Sequence, residues 1–151
     1  MSAPLDNRQA LVDTNVVVYA YDLDEPVKHD QARLLLEPLS NEGRLVFSAQ
    51  VFNEFVAAMI GPKRKRRLFP AEVETILLEL QATGRVLPIT ASLTFRALRA
   101  MPRHGLSFWD ALIWAAAAEN QIGTIYTEDF QHGRDIEGVL FVNPFRSPWP
   151  G

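Results

Sequence analysis

The chain has 151 residues, 48% of them hydrophobic, no cysteine, and a formal net charge of −3 from 15 basic and 18 acidic residues. That length and composition suit a single globular domain spanning 1–151, and they exclude disulfide bonds and thiolate metal sites. They also exclude a protein that coats nucleic acid by bulk positive charge. No apolar run approaches the about 18 residues of a membrane span, and the N-terminus lacks a basic stretch and an apolar signal core, so the expectation is a cytoplasmic protein with no membrane partner.

In chain order, "QALVD" (9–13) reads as a first strand, followed by a short helix from Val16 to Tyr21. Pro26 opens a second helix, in which Ala32, Leu35, Leu36 and Leu39 recur at helical spacing. "RLVFSA" (44–49) is a second strand, and "AQVFNEFVAAMI" (49–60) a helix ended by Gly61-Pro62. The basic run "KRKRR" is a linker or a helix start. Pro70 opens the next helix, "RVLPIT" (85–90) is a third strand, and the helix "ASLTFRALRAM" (91–101) is closed by Pro102 and Gly105. Ser107 reads as the N-cap of "FWDALIWAAAAENQ" (108–121), after which "TIYTED" (124–129) and "GVLFVNP" (138–144) are two more strands. A proline-rich surface tail follows from about residue 144. Strands alternating with helices predict an α/β fold, a three-layer sandwich with a mostly parallel central sheet.

Most acids sit among polar neighbours, as in "DLDEP", and read as solvated. Four sit against apolar ones: Asp13, Glu54, Asp110 and Asp129. Asp13 and Asp129 follow predicted strands, and open α/β sheets bind ligands beyond the carboxyl ends of their strands. Asp110 lies in the first turn of its helix, and Glu54 about six residues into its own. Each also fits a structural role. Asp13 suits a helix cap, Asp110 a capping arrangement with Ser107, Glu54 an ion pair and Asp129 a turn. Glu128 competes with Asp129 for any role.

Taken together, "LVDTNVVVYA", "VFNEFV", "SFWDALIWAAA" and "IYTEDF" resemble, in order, the four acidic motifs of PIN-domain ribonucleases, most closely the VapC-type toxins of toxin–antitoxin pairs. The resemblance covers residues 10 to about 143. It implies a PIN-like fold and an endoribonuclease dependent on Mg²⁺ or Mn²⁺ that leaves 5′-phosphate and 3′-hydroxyl ends. Asp13, Glu54, Asp110 and Asp129 would be the catalytic and metal-binding cluster, supported by Asn15 and Thr127. It further implies an RNA substrate, a cognate antitoxin and a homodimer. Glu128 is an acid the family pattern does not require.

Crowded carboxylates repel one another unless a cation enters, and hard divalent ions prefer oxygen donors. His29, His104 and His132 stand in unrelated polar contexts, so an acid–base histidine pair is not expected. Two cationic groups could hold RNA: Lys63, Arg64, Lys65, Arg66 and Arg67 in the basic run, and Arg96, Arg99 and Arg103 on one helical face. Solvation or favourable placement at a helix C-terminus explains them equally well. Two other readings are a non-catalytic RNA-binding or scaffold module and an aspartyl-phosphate phosphatase. The latter wants a second Asp where Asn15 stands.

Overall fold

The computed structural model describes residues 8–146. Twelve elements follow in order: β1 Ala10–Val12, α1 Thr14–Tyr19, α2 Pro26–Asn41, β2 Leu45–Ser48, α3 Ala49–Ile60, α4 Pro70–Thr83, β3 Arg85–Leu87, α5 Ala91–His104, α6 Phe108–Glu119, β4 Thr124–Tyr126, β5 Asp135–Ile136 and β6 Val139–Val142. The strands form one sheet of order β3-β2-β1-β4-β6-β5, parallel except for the β5–β6 pair.

The chain builds outward from β1 to β2 to β3, then returns across β1 to add β4 and β6. With right-handed crossovers, that reversal places α1–α4 on one face and α5–α6 on the other. The three-layer α/β expectation is met. The central strands are mostly apolar because both faces are covered, with Ser48, Thr124 and Tyr126 as exceptions at the strand ends. Leu11, Val12, Val46, Phe47 and Ile125 are all fully buried. Helix α6 is buried from Ala111 to Ala117, which explains its alanine-rich sequence: small side chains let it lie close to its neighbours.

Four local expectations are revised. Helix α1 starts at Thr14 rather than Val16, because the Asp13 side chain accepts from the Thr14 N–H and caps it. Helix α5 passes through Pro102 to His104 and ends at Gly105, whose φ of +65° makes the left-handed cap. Pro102 deprives only the carbonyl of half-exposed Leu98 of a partner, so it is tolerated. The short strand β5 was not legible: it joins β6 through Glu137 and Gly138, both at positive φ, as a two-residue hairpin turn requires. The proline-rich end is not all surface. Pro144 is buried, and Phe145 packs edge-on against Tyr19 with ring centres 5.1 Å apart; residues from 147 on lie outside the described part. The basic run forms turns between α3 and α4 rather than a helix. No helix among the described residues is long and apolar enough to cross a membrane.

Gly61 ends α3 and launches the basic loop. A Cβ there would stand 2.6 Å from the Ala57 carbonyl oxygen. Gly61→Ala is therefore expected to destabilise the protein by about 1–3 kcal/mol, as overpacking does, read as a lower midpoint in urea with an unchanged slope. An unchanged midpoint would contradict the close approach.

Candidate active site

The order reversal at β1 leaves a crevice at the carboxyl ends of β1 and β4, where open α/β sheets bind their ligands. A cleft of about 580 Å³ opens there. Six acids line it: Asp13, Asp22, Glu54, Asp110, Glu128 and Asp129. Among the described residues, no lysine, arginine or histidine does.

Each acid is positioned by the element that carries it. Asp13 ends β1; one carboxylate oxygen accepts from the Thr14 N–H at 2.7 Å and the other from Thr127 Oγ1 at 2.8 Å. Thr127 follows β4 and is buried. Its hydroxyl also accepts from Asn15 Nδ2 and from the Asp129 N–H, both at 3.3 Å. Asn15 bridges further: its Nδ2 donates to Asp129 Oδ2 at 3.0 Å, and its Oδ1 accepts from the Glu128 N–H at 3.1 Å. Glu54 reaches the cleft from α3, where Thr14 Oγ1 donates to its Oε1 at 3.1 Å. Asp110 is presented by the first turn of α6, capped by Ser107, whose Oγ accepts from the Asp110 N–H at 3.2 Å. No described residue donates to the Asp110 carboxylate, which stays free for an external partner.

Burial pushes the Asp13 carboxyl up to about 6, and repulsion from Glu54 and Asp110 adds to it, against the lowering effect of the Thr127 and Thr14 hydrogen bonds. The donors are oxygens only, which fits a hard divalent ion and not a soft one. No three of the described acidic or histidine side chains already stand together as a finished metal site.

The four expected acids, Asn15 and Thr127 thus meet at one edge. Three participants were not legible. Asp22, from the stretch read as solvated, lines the cleft, as does Gln50. Gln50 Nε2 donates to the Trp109 carbonyl at 3.1 Å, tying α3 to the start of α6, while its buried Oε1 has no partner among the described residues. Lys28 of α2 pairs with Glu128 and lies against the Tyr19 ring, 4.8 Å from its centre. That pairing holds the Lys28 ammonium above its ordinary range and gives Glu128 a partner that the other acids lack. Nothing in sequence joins residues a hundred positions apart.

The two cationic groups separate. Lys63, Arg64, Lys65 and Arg66 line a groove of about 540 Å³ that shares Val18, Asp22 and Ala58 with the acidic cleft. Arg67 is turned back to the Ile60 carbonyl. Arg96, Arg99 and Arg103 line a different cleft with Trp114, Glu119 and Glu137, which shares no residue with the acidic one. The histidines hold structure: His29 contacts the Tyr19 carbonyl, His104 faces Glu137, and His132 accepts from the Asn143 N–H.

A PIN-domain family model matches residues 10–134. The chain belongs to the PIN-domain family, in its VapC type. It is 33% identical over 120 residues to ribonuclease VapC13 of Mycobacterium tuberculosis, covering 79% of this chain and 88% of that protein. It is 29% identical over 119 residues to ribonuclease VapC23 of the same species, covering 78% and 90%. Among solved structures, a toxin–antitoxin complex from Klebsiella pneumoniae superposes with a TM-score of 0.64 at 20% identity, covering 90% of this chain and 98% of that one. VapC20 of M. tuberculosis, described as a sarcin–ricin loop cleaving toxin, superposes at 0.62 with 22% identity, covering 78% and 87%. At these identities the superpositions speak for the fold.

The raised Asp13 value has a consequence for stability. A group whose folded value exceeds its ordinary 3.8 favours folding when protonated; the benefit is complete below 3.8 and lost as pH rises through about 6. In EDTA, thermal stability is expected to rise as pH falls from neutral towards 5, and Asp13→Asn is expected to remove that rise. Parallel pH profiles for the two proteins would contradict the assignment.

Proposed function

We propose that this protein is a divalent-metal-dependent endoribonuclease, the toxin of a toxin–antitoxin pair. The observation that carries this reading is the cleft itself: among the described residues six acids and no cation line it, at the carboxyl edge of the sheet where open α/β folds bind ligands. Folding alone gives no reason to gather such charge. The relatives named as VapC ribonucleases support the reaction class, and the toxin–antitoxin complexes of the same fold support an antitoxin partner.

Asp13, Glu54, Asp110 and Asp129 would hold Mg²⁺ or Mn²⁺. When bound, such an ion neutralises charge at the phosphate and acidifies a water molecule. The chain's own part is positioning. Thr127 and the Thr14 N–H hold Asp13, Asn15 holds Asp129, and Thr14 holds Glu54, so three of the carboxylates start from fixed orientations and must still draw together to share one ion. Water attacks the phosphorus in line, its proton passes to a carboxylate of the cluster, and the P–O3′ bond breaks. The departing O3′ takes up a proton from a solvent water, leaving 3′-hydroxyl and 5′-phosphate ends. Glu128 is spent on Lys28 and lies outside the ligand set. Asn15 stands where an aspartyl-phosphate phosphatase needs its second Asp, and its amide is engaged with Thr127, Asp129 and the Glu128 N–H.

RNA must be held beside an acidic site, and the groove of Lys63, Lys65 and Arg66 continues from the cleft along a shared wall. Phosphates flanking the cut would lie there. Arg96, Arg99 and Arg103, on a separate cleft, are better suited to another contact.

Asp13→Asn and Asp110→Asn are each expected to lower cleavage of total RNA by about 100-fold or more, the loss of several kcal/mol at the transition state, with the circular dichroism spectrum retained. EDTA should stop cleavage, and Mg²⁺ should raise the melting temperature. Full activity in EDTA would refute the metal mechanism. Replacing Lys63, Lys65 and Arg66 together by Gln should raise KM, leave kcat near its starting value and flatten the salt dependence of binding. An unchanged salt slope would remove this groove from the RNA path.

A further inference from the structure

Trp109 is 59% exposed, yet it lines the acidic cleft immediately before Asp110. The fold does not need it there. Trp114, one helical turn and a half further along α6, shows how a structural tryptophan is used in this protein: it is buried, and its Nε1 donates to the Ile136 carbonyl at 3.0 Å. The Trp109 indole N–H donates to no described residue. The ring is nonetheless held in place. Its backbone carbonyl accepts from Gln50, and Phe108 packs edge-on against the ring at 5.2 Å.

We propose that Trp109 is a stacking platform for an unpaired nucleobase beside the cut phosphodiester. The proposal rests on the ribonuclease reading and adds to it the residue that would position the nucleotide beside the cut. The acids of the cleft repel phosphates unless a cation is bound, whereas a neutral part of the nucleotide can add affinity at this position whether or not one is. The base offers a neutral face, and an exposed indole is its natural partner. Bases inside a duplex are already stacked on their neighbours and present only their edges, so they cannot lie on the indole without first leaving the helix. The exposed apolar surface of Trp109 therefore selects for nucleotides that are already unstacked.

The test uses the full chain in Ca²⁺ buffer and a short end-labelled RNA, offered either unpaired or in a perfect duplex, with its integrity checked on a gel. Trp109→Ala is expected to weaken binding of the unpaired RNA about tenfold, within the range of a base–aromatic stack, and to leave duplex binding unchanged. Trp109→Phe and Trp109→Tyr should restore affinity. RNA should quench indole emission in the unsubstituted chain, and this quenching should be lost in Trp109→Phe. Thermal melting of each variant checks the fold, which this exposed position should not disturb. Equal affinity of Trp109→Ala and the unsubstituted chain for unpaired RNA would overturn the proposal, as would equal weakening towards both RNAs. Cleavage is scored separately. Cutting that persists while Trp109→Ala binds normally refutes the stacking alone. Trp109-dependent binding without cutting in Mg²⁺ or Mn²⁺ supports the stacking and refutes the nuclease reading.

Discussion

The Thr127 hydroxyl is the junction on which the cleft depends. A hydroxyl can donate one hydrogen bond and accept two. Thr127 uses all three: it donates to Asp13 and accepts from Asn15 Nδ2 and the Asp129 N–H. Those partners belong to the end of β1, the first turn of α1 and the loop after β4. One buried oxygen thus ties the β1–α1 junction to the loop after β4, two segments that meet only because the sheet places β1 beside β4. In a buried setting an unmade bond at this atom is costly, so the arrangement has little freedom to drift.

Around that junction the protein keeps an electrostatic imbalance. Burial and neighbouring acids push Asp13 upward, and Lys28 relieves only Glu128. The imbalance is tolerable because the cleft is open to water and because several carboxylates have hydrogen-bond donors fixed beside them. It also gives the site its selectivity for what enters. A divalent cation relieves the repulsion, an anion alone aggravates it, and the neutral face of an aromatic base is indifferent to it. On the proposed ribonuclease reading, Trp109 would meet a base and the basic groove beside the cleft the flanking phosphates.

Much of this was readable along the chain because it is local. Asp13 betrays itself by following two apolar residues and preceding a helix, and Asp110 by standing three residues after a capping serine. Apolar runs and spacing, together with caps and Pro or Gly breakers, located every helix and five of the six strands. What escaped was non-local or too short to leave a pattern. Two-residue β5 has no periodicity to detect. Asp22 looks solvated among "DLDEP" until α1 folds its C-terminal end against the cleft. The arginines of α5 precede Asp110 closely in sequence, yet helices of finite length carry them to a different cleft.

By itself, then, the order of residues determined which segments become strands and helices, that their alternation makes a layered α/β sheet, and which four acids stand against apolar neighbours. These depend on caps, breakers and periodicity, which act within a few residues. Only the tertiary structure decided that β1 and β4 lie side by side, that Thr127 binds Asp13 across more than a hundred positions, that Lys28 neutralises Glu128 and that Trp109 faces the cleft. Those facts follow from strand order and crossover handedness, which sum interactions over the whole chain and leave no mark at any single position.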